Sequence, residues 1–337
     1  MRRALLLVLI PGIASAVASA SGPTDLPRID STTSLLVIAP HPDDETLCCG
    51  GVIQRVVRAG GHVSVVWLTS GDGARIDLIL LGHSLFPGAG IGRELGAQRM
   101  GEARAATARL GLASAGQLFL GYPDGGLLEL LGPHRTAPYT SPATGAAAVP
   151  YSAALYPGHA YTGESLERDL GAVLEHVHPT LILAPTPLDS HPDHRAAGLL
   201  TQRLSARLAP APSVRYWIVH GGEGWPSPRD LLPGVPLTPA PLAARLAPTA
   251  FELEPAEEDG KLLALQAYQT QMRVMAPFLL SFVRTNELFS LQSDAALPRG
   301  GLTVASAAAS GRYNDQWRRL CSRADDRAAL ADASGGG

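Results

Sequence analysis

The sequence predicts a Rossmann-like three-layer α/β sandwich with a mostly parallel sheet, over about residues 30–290. Three observations carry that expectation. An apolar run, Leu35 to Ala39, stops at Pro40 and leads through polar residues into a helical pattern, Leu47 to Ala59, closed by Gly60-Gly61. A second apolar run, His62 to Thr69, follows with no hairpin turn between, so strand, helix and strand form a parallel crossover unit. The run that ends in proline recurs at Thr180 to Pro185, and it too opens a helical pattern, Arg195 to Leu208.

The other elements fill in around these. Arg93 to Leu110 reads as a helix closed by Gly111, Gln117 to Tyr122 as a third strand, Glu164 to His176 as a helix, and Val214 to His220 as a fifth strand. Pro255 to Met275 is helical, and Phe278 to Phe289 completes the domain. Residues 74–92 form an apolar, glycine-rich insert with two misleading patterns. Gly82-His83-Ser84-Leu85-Phe86 lacks the final glycine of a nucleophile elbow. Gly88-Ala89-Gly90-Ile91-Gly92 follows no strand, as a dinucleotide loop must. Residues 132–163 have no periodicity and carry Tyr139, Tyr151, Tyr156 and Tyr161. A loop of that length is a candidate substrate cover, its tyrosines suited to sugar faces, or simply packing. Residues 221–250 are proline-rich and irregular, and residues 291–337 form an extension of unknown role.

Composition narrows the function. The net charge is −3 and no basic stripe is interleaved with aromatics, which argues against nucleic acid. Met1-Arg2-Arg3, an apolar stretch from Ala4 to Ile10 and Ala18-Ser19-Ala20 read as a signal peptide over residues 1–20. The protein is then expected to be exported, periplasmic or extracellular, with no stable transmembrane segment after cleavage; an uncleaved anchor is the alternative. Three cysteines, Cys48, Cys49 and Cys321, make an odd count and no disulfide framework. The adjacent pair is expected to be buried beneath the first charged loop.

That loop is His41-Pro42-Asp43-Asp44-Glu45, placed between a strand and a helix. In an open α/β sheet ligands bind there, at the carboxyl ends of the strands. His41 and Asp44 are donors for zinc, with Asp43 left as a base; alternatively, Asp43 or Asp44 merely caps the helix. The second strand end carries Asp189-Ser190-His191-Pro192-Asp193-His194. One helix cap does not explain why both ends pair His with Asp. An open mononuclear site needs three protein ligands, and His41, Asp44 and His194 supply them. Fe²⁺ or Co²⁺ would suit the same donors. Glu45 receives no catalytic role, since it points into the first helical turn and complements the helix dipole.

The two motifs together resemble the PIG-L/LmbE family of zinc-dependent N-deacetylases, whose members remove acetyl from N-acetylglucosamine units in sugar conjugates. The resemblance implies an LmbE-like fold. It also implies a hydrolase that releases acetate and a free amine, with Asp43 as general base, protonated His191 at the oxyanion and Asp193 orienting His191 or a metal imidazole. It places Arg99 (of Arg99-x-x-Glu102), Asp124 (of Gly121-Tyr122-Pro123-Asp124-Gly125-Gly126-Leu127) and Tyr268 near the substrate. Without the resemblance, Arg99 and Glu102 read as a surface ion pair, Asp124 as a turn residue and His191 as a helix opener. An amidase for another conjugate and an inactive carbohydrate-binding protein are the competing functions.

Overall fold

The computed structural model describes residues 26–83 and 88–291. In chain order the main elements are β1 (Ser34–Ala39), α1 (Asp44–Arg58), β2 (His62–Thr69), α2 (Arg75–Gly82), α3 (Ala89–Arg109), β3 (Gln117–Tyr122), α4 (Leu127–Leu131), α5 (Gly163–Val177), β4 (Leu181–Pro185), α6 (Pro192–Ser205), β5 (Ser213–Trp217), β6 (Thr249–Glu252), α7 (Pro255–Leu265), α8 (Gln269–Leu280) and β7 (Asn286–Phe289). The five-stranded sheet has the order β3-β2-β1-β4-β5 and is parallel throughout. A separate antiparallel pair joins β6 to β7.

Leu35 to Ala39 is fully buried, as an unbroken apolar strand must be when both sheet faces are covered. Helix α1 packs with α7, and α7 with α3, while α6 packs with α4 and α5. These two groups are the outer layers of the sandwich. The chain runs outward from β1 through β2 to β3, then returns to β4 and runs out the other way to β5. The switch in direction lies between β1 and β4, the strands that end in the two His-Pro-Asp loops. Crevices form at such points because successive connections leave on opposite faces.

Several boundaries differ from expectation. The 74–92 insert contains α2, and α3 begins at Ala89, so the Gly88–Gly92 pattern lies largely inside a helix. Glycine content masked the helix there. The stretch expected as one helix from Pro255 is two, α7 and α8, separated at Gln266 to Tyr268. Strand β5 stops at Trp217, which leaves His220 on the loop beyond. The irregular 221–250 region ends by entering β6. In the 132–163 loop, Tyr161 and Tyr151 are buried, with hydroxyls donating to the Gly121 carbonyl (3.1 Å) and Asp72 (2.6 Å). Both serve packing and do not offer faces to a sugar. Cys48 and Cys49 are buried, as expected, and are bonded to each other as a disulfide, a pairing the odd cysteine count did not suggest. Cys321, the expected signal peptide over residues 1–20 and nearly all of the 291–337 extension lie outside the described residues. No helix among the described residues is long and apolar enough to cross a membrane.

Candidate active site

Asp44 is the centre of the crevice. Its Oδ2 lies 3.3 Å from His41 Nδ1 and 3.2 Å from His194 Nε2, and it accepts the His41 backbone N–H at 2.8 Å. Asp44 and His194 are buried and His41 nearly so. The three expected metal ligands thus converge, one pair from the β1 loop and one residue from the start of α6. His194 Nε2 is buried without a hydrogen-bond partner: Asp44 is near enough, but the angle is wrong. A buried polar atom left in this way calls for another partner, and two imidazoles with a carboxylate are zinc donors. The residues present therefore fit a divalent metal.

Carboxylates stand behind both imidazoles. Asp193 Oδ2 lies 3.1 Å from His41 Nε2, and Asp124 Oδ1 lies 3.2 Å from the same nitrogen. Asp193 is itself held by backbone N–H groups of Gly125 (2.7 Å) and Leu127 (3.0 Å). Asp193 thus touches both rings it was expected to orient: its carboxylate faces His41, and its backbone N–H donates to His191 Nδ1 at 3.1 Å. Asp189 Oδ2 lies 3.2 Å from His194 Nδ1. Burial opposes charge on the histidines, but Asp124, Asp193 and Asp44 raise the pKa of His41 well above normal. Asp44 and Asp189 likewise raise His194 to about 9. Burial also opposes ionisation of Asp44, yet His194 and His41 hold it well below the usual carboxylate range.

Asp43 points elsewhere. It precedes α1 at φ 121°, an unfavourable region for a residue with a side chain, and makes no side-chain capping bond. The helix-cap reading fails for it. Its carboxylate instead meets Arg99 Nη2 at 3.1 Å. Arg99 also donates to the carbonyls of Pro42 (2.7 Å) and Gly71 (2.9 Å). Gly71 is required there, since a Cβ would lie 2.3 Å from the guanidinium. Burial pushes the Asp43 pKa well up, and Arg99 opposes the rise. Arg99 is only 3 % exposed, so it holds Asp43 in place and does not line a substrate surface. Its expected partner Glu102 accepts from Thr270 instead, at 3.1 Å from N and 2.6 Å from Oγ1.

Glu45 has a larger part than dipole complementation. It is buried and accepts from Trp67 Nε1 (2.9 Å), the Asp43 N–H (3.2 Å), Thr46 and the Tyr268 hydroxyl. Tyr268 is fully buried. The expectation that it binds substrate is therefore corrected: it braces Glu45, which braces the Asp43 loop. Periodicity on one helix does not reveal a contact formed across more than 200 residues of chain.

His191 is the side-chain cap of α6, accepting the Asp193 N–H on Nδ1 at 3.1 Å. The neutral ring then carries its proton on Nε2. Burial, with His41 adding to it, lowers its pKa well below normal. The Nδ1 cap and the lowered pKa favour a neutral His191 ring, against the protonated one expected. Its ring centroid lies 4.7 Å from that of His41 and 5.2 Å from that of His194. Asp124 lies beside His41 and accepts the Gly73 N–H at 3.0 Å, more committed to the protein than a free sugar-binding carboxylate.

Three site residues escaped the sequence reading. Asp189 accepts N–H groups of His191 (2.8 Å), Val219 (3.1 Å) and His220 (3.1 Å), tying the β4 loop to the end of β5. It stands two residues before His191, where a third carboxylate was legible. His220 brings a fourth imidazole to the crevice, its ring 4.7 Å from His194. Asp72, in the turn after β2, accepts from Tyr151 and the Asp124 N–H.

Residues 36–205 match the PIG-L family, described as GlcNAc-PI de-N-acetylase. The chain is similar to the 1D-myo-inositol 2-acetamido-2-deoxy-alpha-D-glucopyranoside deacetylase of Kribbella flavida, with 28% identity over 287 residues, covering 76% of this chain and 88% of the relative. The same enzyme of Thermobifida fusca is 29% identical over 264 residues, covering 71% and 84%. Among solved structures, N,N'-diacetylchitobiose deacetylase from Pyrococcus horikoshii superposes with TM-score 0.47 at 21% identity, covering 77% of this chain and 83% of that one. The matched span takes in half of the chain and both His-Pro-Asp loops, and on that match this chain belongs to the PIG-L family.

Proposed function

We propose that the protein is a metal-dependent N-deacetylase that hydrolyses the acetamide of an N-acetylglucosamine-type sugar conjugate to acetate and a free amine. The observation that carries this reading is the convergence of His41 and His194 on Asp44 Oδ2, beside a second carboxylate, Asp43, that Arg99 holds apart. The names of the curated relatives point to the same bond and the same sugar class.

His41, Asp44 and His194 would hold zinc, with Fe²⁺ or Co²⁺ as substitutes. A metal there supplies Lewis acidity, lowering the pKa of water toward about 7 and polarising a carbonyl. The protein's own groups do the rest. Asp43 takes a proton from the attacking water as its oxygen bonds to the acetamide carbon. His191 Nε2–H donates to the carbonyl oxygen as that atom gains charge, a contribution typically worth about 10²–10³ in rate. Asp43 then delivers the proton to the nitrogen as the C–N bond breaks. Asp193 and Asp189 hold the ligand rings in orientation. We also propose that this chemistry takes place outside the cytoplasm, on the strength of residues 1–20; N-terminal sequencing of the processed protein tests for cleavage after Ala20.

The deciding assay is acetate release from a panel of N-acetylglucosamine conjugates, using metal-stripped protein with and without added Zn²⁺. Zinc-dependent acetate supports the reading and ranks the conjugates. Tight zinc binding with no acetate from any conjugate overturns it in favour of another amide or a binding role.

A further inference from the structure

The crevice holds four imidazoles, and the motifs account for three of them: His41, His191 and His194. The fourth, His220, follows β5, the strand next to β4. The ligand-type atoms of Asp44, His194 and His220 lie within 4.8 Å of one another. His220 therefore reaches two of the three residues assigned to the metal.

Its position is built. The backbone N–H donates to Asp189 Oδ2 at 3.1 Å, and the carbonyl accepts from Ser190 N (3.2 Å) and Ser190 Oγ (2.9 Å). Asp189 Oδ2 is also the atom 3.2 Å from His194 Nδ1, so one carboxylate supports both residues. The ring stacks on Phe278 with a centroid distance of 6.0 Å and an interplanar angle of 14°, and meets His194 nearly edge-on at 4.7 Å. An aromatic wall behind and a pinned backbone restrict where the ring can turn. His191 also lies in reach of His41 and His194, but it uses Nδ1 to cap α6.

We propose that His220 is a fourth protein ligand to the metal, giving a donor set of three imidazoles and one carboxylate: His41, His194, His220 and Asp44. The inference rests on the metal reading of the site and goes beyond the three-ligand set of the motifs. With these four donors, hydrolysis would need a further position for water or substrate, an expansion that zinc allows.

X-ray absorption of the zinc-loaded full chain counts imidazoles directly. Three are expected, falling to two in His220→Asn, with zinc affinity at least tenfold weaker by chelator competition. Two imidazoles in the unaltered protein, or three retained in His220→Asn, overturns the proposal. If His220→Asn does not fold, His191→Asn decides: three retained supports His220, and a fall to two gives the third position to His191 and sinks the idea. Failure of the unaltered chain to bind zinc overturns the metal reading and this inference together. Zinc bound by two imidazoles removes His220 alone.

Discussion

Asp43, the proposed base, is held in a strained position beside Arg99. The backbone at Asp43 lies at φ 121°, and the Arg99 fork holds both the carboxylate and the carbonyl before it. Asp43→Asn keeps the shape and removes the base. Turnover should fall about 10²–10⁴-fold with zinc affinity unchanged, as steady-state kinetics beside a zinc titration would show. Asp72 tests the electrostatics of the same corner. Burial, with Asp124 adding to it, raises its pKa to about 7. Below pH 4 the group is neutral folded or unfolded and contributes nothing. As pH rises from 4 to 7 the unfolded chain ionises it while the folded protein keeps the proton, so folding loses up to about 4 kcal/mol across that window. In metal-stripped protein, Asp72→Asn should gain stability over the unaltered chain between pH 4 and 7, measured by urea midpoints. A difference that does not change with pH would contradict the assignment.

At the scale of elements, one buried ion pair joins three of them. Lys261 on α7 donates to Glu287 on β7 at 2.8 Å, and Glu287 accepts the N–H groups of Gly51 (2.8 Å) and Val52 (3.1 Å) on α1. Both side chains are about 1 % exposed. Helix α1 begins at the His41–Glu45 loop, so this pair fixes the far side of the element that carries Asp44. Lys261→Met leaves a buried carboxylate without its cation and should cost about 3–5 kcal/mol in chemical denaturation, with Lys261→Met/Glu287→Gln recovering part of it. An undiminished midpoint in the single variant would show the pair to be dispensable. The chain's single lysine carried no message as sequence; its meaning depends on a contact with a residue 26 positions on.

At the scale of the whole molecule, the proposed metal site would suture the two halves of the sheet. His41 and Asp44 come from the β1 side of the switch and His194 from the β4 side, so a bound ion links segments about 150 residues apart in sequence. Zinc at 1,000 times its Kd should stabilise the fold by about 4 kcal/mol, seen as a higher unfolding temperature that reverts on chelation. His194→Ala should abolish that zinc-dependent increment. The parallel sheet, the two motif loops and the ligand types were legible in the sequence, because strand runs and His-Pro-Asp spacing are local patterns. Hydrophobic periodicity places β1 and β4, and proline marks where each ends. Tertiary structure alone decided that Arg99 grips Asp43, that Tyr268 is buried against Glu45, that Asp193 backs His41 while Asp189 backs His194, and that His220 joins the crevice. Each of these depends on distance and angle between groups remote in the chain, and a sequence records residue types in order but not which remote side chains the packing of α3, α8 and β5 brings face to face.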